Sequence, residues 1–376
     1  MNWTVLHDWG SGNEMAFDRY SGSQNETDCI AGLLPGKQLQ NGHYRISRFR
    51  NSGGFGITYI ARDALNRDVV LKECYVESFC RRENSTVLPR SDTARQHLQR
   101  ALACFGEEAR ILAMMNHPNI VRIHQLFEEN GTSYMALDYI SGHDLVEIVD
   151  EKKSMLTPGQ IVRMSERLIS ALSHIHDRGV IHCDVSPDNI CVTPAGEPVL
   201  IDFGAARHVV DGVVQRHAGF TLVKDGYSPP ELYQTNGVCA VQSDVYSLAA
   251  SLYYAITGRA PIDGETRLRA VIADRPDPLI TLAGAVPGYP PGFLATIDKA
   301  MSVEPDERFA SAKTWLRRMA TPPAPQAKPL REGLFPAPGA QAPETRDRNV
   351  VLLRRSLFEP EHQEPEPEPR AIYSGI

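Results

Sequence analysis

The sequence predicts an α+β protein with two lobes, a small β-rich lobe followed by a larger α-helical lobe. Between residues 44 and 138, five short runs have the composition of β-strands, and one helical stretch, roughly Gln96 to Met115, interrupts them. These runs read YRISRF, GITYIA, DVVLKE, IVRIHQLF and SYMALDY. From Leu156 onward the apolar spacing is helical. Two such lobes leave a cleft between them, which is the usual place for a binding site.

The helical lobe has clear start and stop signals. Thr157 and Pro158 are typical of an N-cap and a first helical position. The next residues place an apolar side chain every three or four positions, at Ile161, Met164, Leu168, Leu172 and Ile175. A second apolar run, VYSLAASLYYAITG, ends at Gly258, which is a natural C-cap. This run is too short to cross a bilayer, so we expect no direct membrane insertion.

The composition excludes several classes of protein. The 376-residue chain is 42% hydrophobic, enough to bury real cores, and its formal net charge of −7 lacks the basic surface that nucleic-acid binding requires. The seven cysteines include no C-x-x-C pair, which argues against a disulfide framework or a zinc site and for a reducing compartment. The N-terminus has neither a basic n-region nor an apolar h-region. We therefore expect a soluble, cytoplasmic protein.

Changes in composition divide the chain into three parts. Residues 1–42 are a polar N-terminal extension that we expect to be partly disordered, and residues 321–376 are a Pro/Glu-rich tail that we expect to be disordered. The folded part comprises an N-terminal lobe at 43–138, a hinge at 138–142 and a C-terminal lobe at 143–320. A role of the tail as an SH3- or WW-type ligand is the alternative.

A glycine-rich hairpin is predicted at NSGGFGITYIA, residues 51–61. Gly53, Gly54 and Gly56 would let backbone N–H groups approach phosphate oxygens without obstruction by a Cβ atom. Relative to the pattern G-x-G-x-x-G-x-V, Asn51 replaces a glycine and the β-branched Thr58 replaces valine. Asn is the residue after glycine that best tolerates positive φ. A glycine-rich hairpin without a ligand remains the alternative.

A lysine and a glutamate are candidates for an ion pair in the cleft. Lys72 lies in the strand-like run VVLKE, which is similar to the V-A-I-K strand of nucleotide-binding phosphotransferases. Glu108 is the candidate partner because it shares a helix face with Ile111 and Leu112, whereas Glu107 points about 100° away. Two unrelated surface charges remain the alternative.

The stretch VIHCDVSPDNI, residues 180–190, has the spacing of a phosphoryl-transfer loop of the form H-R-D-x-x-x-x-N. Asp184 could accept a proton from an acceptor hydroxyl. Asn189 and Asp202, the latter in a D-F-G triplet, could together hold Mg²⁺ on bound phosphates. A hairpin-like run, CVTPAGEPVL, separates Asn189 from Asp202, and this spacing is hard to obtain by chance.

Three further motifs are structural. GYSPPELY places Glu231 where an A-P-E motif would have its glutamate, and PDERFAS offers Arg308 as a buried partner. Removing one member of such a buried pair is expected to cost roughly 3–5 kcal/mol. Asp244, in SDVYSLA, lies at the start of a predicted helix.

With these motifs in this order, the chain resembles the eukaryotic-type (Hanks-type) bacterial serine/threonine protein kinases from about Tyr44 to Met319. The phrases GGFGITYIARD, LKECYVESFCRRE, HPNIV, CDVSPDNI and DFGAARH carry the resemblance. It implies the two-lobed protein kinase fold, ATP and Mg²⁺ as cofactors with Mn²⁺ as an alternative metal, and protein substrates that could include the chain itself. Serine/threonine specificity is also implied, because tyrosine-directed loops usually carry arginine where this chain has Ser186 and Asp188.

The resemblance assigns roles to individual residues. Lys72 would contact the α- and β-phosphates, Glu108 would hold Lys72, and Asp184 would be the catalytic base. Asn189 and Asp202 would bind the metal. The resemblance also implies an adenine pocket with Leu137 as gatekeeper and a hinge that runs from Asp138 to Ile140.

Three positions in and near the phosphoryl-transfer loop depart from the family pattern. Cys183 replaces an arginine that receives an activation-loop phosphate in many kinases, and the loop's only hydroxyl side chain is Thr221. We predict that phosphorylation of this loop does not switch the protein on. The prediction would be contradicted if Thr221→Ala abolished activity and a phosphomimic at the same position restored it.

Ser186 replaces a lysine, and Lys224 occupies a position where threonine is usual. We hypothesise that Lys224 restores a positive charge near the transferred phosphate; solvent exposure or a substrate contact is the alternative.

The segment of residues 75–101 is longer than the motifs require. Its Arg81, Arg82 and Arg90 could bind a phosphate, but we expect them to be exposed side chains of a surface loop without a binding role.

The function that these motifs favour is that of an ATP-dependent serine/threonine protein kinase. A pseudokinase that binds ATP as a scaffold stays open because of Asn51, Cys183 and Ser186. A small-molecule phosphotransferase, which also uses H-x-D-x-x-x-x-N, is disfavoured because such enzymes lack D-F-G and the Glu231–Arg308 pair.

Overall fold

The computed structural model describes residues 32–53, 56–151, 156–210, 213–214, 223–234 and 237–320. The predictions for Gly54, for Thr221 and for the tail at 321–376 lie outside the described residues. The same holds for the first 31 residues of the N-terminal extension.

The N-terminal lobe is built on one antiparallel sheet of six strands, which confirms the predicted β-rich lobe. Five of its strands coincide with the five predicted runs, and a two-residue strand precedes them. In spatial order the strands are β1 (Gln38–Leu39), β2 (Tyr44–Gly53), β3 (Gly56–Asp63), β4 (Asp68–Glu73), β8 (Thr132–Asp138) and β7 (Ile123–Glu129). A separate hairpin, β5 (Cys80–Glu83) with β6 (Thr86–Pro89), follows β4.

The side chains of β4 alternate between the two faces of the sheet. Val69, Leu71 and Glu73 point into the lobe and are buried, whereas the intervening Val70 and Lys72 face the other way and are half-buried. This alternation places the Lys72 side chain on the cleft side of the sheet.

Helix α1 (Asp92–Ala113) crosses this side of the sheet. It begins at the N-cap Ser91, whose Oγ accepts a hydrogen bond from the backbone N–H of Ala94. The sequence predicted a start near Gln96, because the first turn is polar and carries no apolar periodicity. The buried face includes Phe105, Glu108 and Leu112.

The C-terminal lobe is mainly helical, as predicted. Its helices are α2 (Leu145–Asp150), α3 (Pro158–His176), α4 (Val241–Thr257), α5 (Gly264–Ile272), α6 (Phe293–Ala300) and α7 (Ala312–Ala320). Short strands carry the loops that face the cleft: β9 (His143–Asp144), β10 (Val180–Ile181), β11 (Ile190–Val192), β12 (Pro198–Leu200), β13 (Arg207–Val210) and β14 (Val213–Val214).

The core of this lobe forms where α3 and α4 pack together. All five apolar positions predicted for α3 are buried, and a capping box between Thr157 and Gln160 starts the helix. Helix α4 ends at Gly258, which has φ +70 as the C-cap position requires. Because both helices are fixed at their ends, the loops between them have a rigid base.

Candidate active site

Lys72 links the two lobes. Its Nζ lies 3.1 Å from Oε1 of Glu108 on α1 and 3.0 Å from Oδ1 of Asp202 in the C-terminal lobe. The structure therefore brings together three residues that the sequence placed in one site. An arrangement in which Lys72 and the aspartates were too far apart to share one ligand would have contradicted the prediction.

The three charges determine one another's protonation. Burial alone would lower the pKa of Lys72, but the carboxylates of Asp202 and Glu108 raise it above its ordinary value. Burial likewise opposes ionisation of Asp202, but Lys72 and the backbone N–H of Gly204 keep its pKa below the usual range. Burial raises the pKa of Glu108, which lies deepest. The site thus holds a charged lysine between acidic groups, suited to binding phosphate oxygens.

A short hairpin positions Asn189 beside Asp202. Strands β11 and β12 pair in antiparallel register, Ile190 opposite Leu200, and the backbone N–H of Ile201 donates to the carbonyl of Asn189 at 3.1 Å. Asn189 and Asp202 consequently flank the hairpin at the same end.

Asp184 and Asn189 form the centre of the loop. Asn189 Nδ2 donates to the backbone oxygen and to Oδ2 of Asp184, each at 2.9 Å, which leaves the amide oxygen directed away from the aspartate. Burial raises the pKa of Asp184 to about 7, with Lys224 opposing that rise and Asp188 adding to it. A carboxylate with a pKa near neutrality suits a general base.

Lys224 reaches into the same loop from the segment before α4. Its Nζ lies 3.1 Å from the carboxylate of Asp184, 2.6 Å from Oγ of Ser186 and 3.1 Å from Oδ2 of Asp188. The lysine is buried, so the alternative of a solvent-exposed side chain is wrong. The pairing with Asp188 was not predicted, because no sequence pattern links the two positions.

Asp244 holds the backbone of the loop from below. Its Oδ2 accepts the N–H of His182 at 2.7 Å and also contacts Nε2 of His176, and its Oδ1 accepts the N–H of Cys183 at 2.8 Å. Cys183 has φ +63, a left-handed conformation that is uncommon for a residue with a side chain. The two hydrogen bonds from the loop to Asp244 stabilise that conformation and orient Asp184.

The predicted anchor between Glu231 and Arg308 is present. The guanidinium makes a two-pronged contact with the carboxylate, Nη1 to Oε1 at 2.8 Å and Nη2 to Oε2 at 2.7 Å. Arg308 is buried, and Ser243 Oγ donates to Glu231 Oε1 at 2.7 Å. The pair ties the segment that carries Lys224 to the C-terminal lobe.

The glycine-rich hairpin is formed by β2 and β3, with Asn51 opposite Thr58 and Gly53 opposite Gly56. A Cβ atom on Gly56 would lie 2.4 Å from the carbonyl oxygen of Glu73, so only glycine fits there. Asn51 lies in the extended strand rather than at positive φ. The prediction that Asn51 is tolerated here because asparagine accepts positive φ is therefore wrong, since an extended backbone accepts any side chain.

The predicted hinge begins at Asp138, the last residue of β8. Leu137 is buried and Asp138 ends the strand, with His124 Nε2 2.8 Å from its Oδ1. Ile140 packs against the core of the C-terminal lobe. These residues lie at the junction of the two lobes, where an adenine pocket is predicted.

The prediction that Arg82 is only an exposed side chain of a surface loop is wrong. Its side chain is 5% exposed, and its Nη2 lies 2.6 Å from Oε2 of the fully buried Glu73. Tyr59 and Tyr134 donate their hydroxyls to the same carboxylate. A buried carboxylate requires a counter-charge, and the β5–β6 hairpin supplies one. Arg81, by contrast, is exposed, as expected.

Two further features of the described residues concern metals and membranes. No group of three or more His, Cys, Asp or Glu side chains there is arranged to hold a metal ion. None of the described helices combines the length and apolar character needed to span a bilayer.

The family profile and the curated relatives that match this chain indicate the same family, the protein kinases. A family profile described as "Protein kinase domain" matches residues 52–314. The chain is similar to serine/threonine-protein kinase PrkC of Bacillus subtilis, with 28% identity over 75% of this chain and 40% of that protein. It is also similar to PknJ of Mycobacterium tuberculosis, with 30% identity over 78% of this chain and 49% of that protein. The chain thus spans about half the length of the curated relatives it matches.

A solved structure titled "PpkA-294 apo form" has the same fold. It covers 77% of this chain and 99% of its own, with 29% sequence identity and a TM-score of 0.64. The remaining part of this chain has no counterpart in that structure.

Proposed function

Because the chain belongs to the protein kinase domain family, we propose that it transfers the γ-phosphoryl group of ATP to serine or threonine hydroxyls of proteins. The observation that carries this proposal is the position of Lys72, bound at once to Glu108 and to Asp202. Phosphoryl transfer depends mainly on positioning and on charge stabilisation, and this arrangement supports both.

Each side chain would have a definite task. Lys72 would bind the α- and β-phosphates, with Glu108 fixing the direction of its ammonium. Asp184 would accept the proton of the acceptor hydroxyl, and its pKa of about 7 lets it do so near neutral pH. Gly53 and Gly56 would bring backbone N–H groups over the phosphates, and the hinge at Asp138 to Ile140 would bind adenine.

The residues present fit Mg²⁺. The amide oxygen of Asn189 and the ionised carboxylate of Asp202 are hard oxygen ligands, and both lie at the same end of one hairpin. Mg²⁺ is commonly bound by one or two protein oxygens together with substrate phosphates, so a larger acidic cluster is not needed. When bound, the metal neutralises charge on the phosphates; Mn²⁺, which also prefers oxygen ligands, could take the same place.

Lys224 would supply the positive charge that Ser186 cannot. Its contact with Asp184 keeps the ammonium within hydrogen-bond distance of the catalytic base. We therefore assign Lys224 a role in positioning Asp184 and in balancing charge beside the transferred phosphate. We further propose that the protein acts in the cytoplasm and can phosphorylate itself as well as other proteins.

The test is incubation of the full chain with labelled ATP, Mg²⁺ and a generic protein substrate. We expect labelled phosphoserine or phosphothreonine with wild type and loss of labelling with Asp184→Asn and Asp202→Ala. Asp92→Asn, a fully exposed carboxylate on α1, is the matched control and should be unchanged. Nucleotide binding without transfer would instead favour a pseudokinase, and labelling of a sugar or choline would favour a small-molecule phosphotransferase.

A further inference from the structure

A buried carboxylate follows Lys72 in β4. Glu73 is fully buried and points to the opposite face of the sheet, as the next residue of a strand must. Its Oε2 accepts the Tyr59 hydroxyl at 2.7 Å, and its Oε1 accepts the Tyr134 hydroxyl at 2.5 Å. Tyr59 is in β3 and Tyr134 is in β8, the two strands that flank β4. One side chain therefore ties three neighbouring strands together.

The direction of each tyrosine hydroxyl is fixed by a second donor. The backbone N–H of Leu33 donates to the hydroxyl oxygen of Tyr59 at 2.9 Å, and Asn130 Nδ2 donates to that of Tyr134 at 3.1 Å. Because each hydroxyl oxygen accepts from one of these donors, its own hydrogen is left for the carboxylate of Glu73. A buried polar network whose members are all satisfied in this way is rigid.

The β5–β6 hairpin adds a positive charge to this network. Arg82 Nη2 lies 2.6 Å from Oε2 of Glu73, and Arg82 Nη1 donates at 3.1 Å to the backbone oxygen of Ser85 in the turn of the same hairpin. The guanidinium also lies over the ring of Tyr75, 5.0 Å from its centroid. These three contacts define the position of the guanidinium relative to β4.

The hairpin is itself fixed to the sheet. The N–H of Val87 in β6 donates at 2.7 Å to the backbone oxygen of Asn130, which lies between β7 and β8. A Cβ atom on Gly131 would lie 2.7 Å from the carbonyl oxygen of Val87, so the two segments approach too closely for a side chain there. The hairpin and the sheet therefore move as one unit.

The placement of Lys72 depends on where β4 lies. Its ammonium contacts Glu108 on α1 and Asp202 in the C-terminal lobe at once, which is possible only at one distance of the strand from both partners. The ladder pairs Lys72 with Thr58 and Met135 and thereby sets its register. Loss of one member of the network on the other face would leave a buried charge without its partner, and the strand would shift to relieve it.

We propose that Arg82 is a positioning residue, which acts through Glu73 to hold Lys72 in place. With β4 held, the Lys72 ammonium stays between its two carboxylate partners. Supporting contacts of this kind decide how precisely a functional group is placed. The placement is a property of the folded chain, whereas its benefit for nucleotide binding rests on the function proposed above.

The reactivity of Lys72 tests its placement without any nucleotide. The full chain is treated briefly with acetic anhydride, which acylates only an unprotonated amine. The rate is followed by mass spectrometry of peptide 68–81, which trypsin leaves uncut when Lys72 is acetylated. In Arg82→Met acetylation should be about 10-fold faster than in the wild type, since weaker ion pairs favour the neutral amine. The buried Lys224 of the C-terminal lobe is the internal reference, and its rate should not change.

Three variants accompany this measurement. Arg81→Met is the matched control, because Arg81 is the neighbour of Arg82 in the same hairpin but is exposed, and it should leave the rate unchanged. Arg82→Lys should recover part of the difference, because it keeps a positive charge beside Glu73. Urea denaturation verifies that each variant is folded. If Arg82→Met is not, Tyr134→Phe takes its place; it removes one hydroxyl and should raise the rate about 3-fold.

Nucleotide affinity shows whether the effect of Arg82 is exerted through Lys72. With Mg²⁺ present, Arg82→Met should weaken binding of a fluorescent ATP analogue about 10-fold, the effect of one impaired charged hydrogen bond. In a Lys72→Met chain the same change should weaken binding no further, because the group that it positions is already gone. A purely structural effect of Arg82 would weaken binding by the same factor in both chains.

The outcomes are distinct. Unchanged acetylation of Lys72 in the folded variant would overturn the proposal, whether or not the chain transfers phosphate. Equal weakening of nucleotide binding in the two chains would also overturn it, as would a rise in Lys224 acetylation that parallels that of Lys72. Faster acetylation of Lys72 in a chain that binds no nucleotide would contradict the function proposed above, while the positioning role of Arg82 would stand.

Discussion

The Nζ of Lys224 lies 2.6 Å from Oγ of Ser186, so an ammonium and a hydroxyl face each other across the loop that carries Asp184. The resemblance implies lysine at position 186 and threonine at position 224, so the positions of cation and hydroxyl are exchanged in this chain. The charge is kept, but it now comes from the segment anchored by Glu231.

This exchange predicts the behaviour of a reciprocal double variant. Ser186→Lys and Lys224→Thr alone should each lower kcat about 10- to 100-fold, because the first adds a second buried cation and the second leaves Asp184 and Asp188 without one. The double variant should recover most of the loss, since it restores one cation. Steady-state kinetics measure this, with the exposed Lys313→Thr as control. A double variant that is no better than the single ones would show that the two positions are independent.

The pH dependence of catalysis should report Asp184. Burial, Asp188 and Asp202 raise its pKa to about 7, and Lys224 holds it down. A base works only when deprotonated, so kcat/KM should fall as pH drops through about 7. Lys224→Met removes the charge that lowers this pKa, and the acid limb should therefore move to higher pH. An unshifted limb in the variant would mean that another group controls it.

Lys72 and Glu108 should act as one functional unit, so that the rate losses from replacing each of them are not additive. Lys72→Met and Glu108→Gln should each lower kcat/KM by about 100-fold, because either change releases the group that positions the phosphates. The double variant should be little worse than the worse single variant, since the interaction is already lost. Glu107→Gln is the matched control, because Glu107 instead pairs with Arg110 on the neighbouring face. Additive losses would contradict the coupling.

The anchor formed by Glu231 and Arg308 should contribute strongly to stability. Arg308→Met leaves the Glu231 carboxylate without its guanidinium partner, which should lower the free energy of unfolding by about 3–5 kcal/mol. Urea denaturation measures the loss. Pairing this change with Glu231→Gln should reduce the cost, because no uncompensated charge remains. The exposed Arg318→Met should have little effect, and an equal loss there would point to a general sensitivity of the lobe.

Much of the fold followed from local patterns. The strand pairs that hold Lys72, the capped start of α3 and the glycine end of α4 each depend on residues close together in sequence. The side of α1 that carries Glu108 followed from helical geometry alone.

Contacts between distant segments could not be predicted in the same way. Arg82 meets Glu73 only because the β5–β6 hairpin folds back on β4, and neither residue belongs to a motif. The pairing of Lys224 with Asp188 depends on how the segment before α4 lies against the catalytic loop. Such contacts become visible only after the whole lobe has formed.

The burial of Arg82 limits how this protein can be shortened. The hairpin it belongs to looks dispensable in the sequence, yet its removal would strand a negative charge inside the sheet, one residue from Lys72. A shortened chain would need Glu73 replaced at the same time, for example by glutamine, whose amide oxygen can accept from one of the Tyr59 and Tyr134 hydroxyls while its NH2 group donates to the other. The β5–β6 hairpin resembles an optional insertion, but it supplies the counter-ion for β4, the strand whose Lys72 would bind the nucleotide in our proposal.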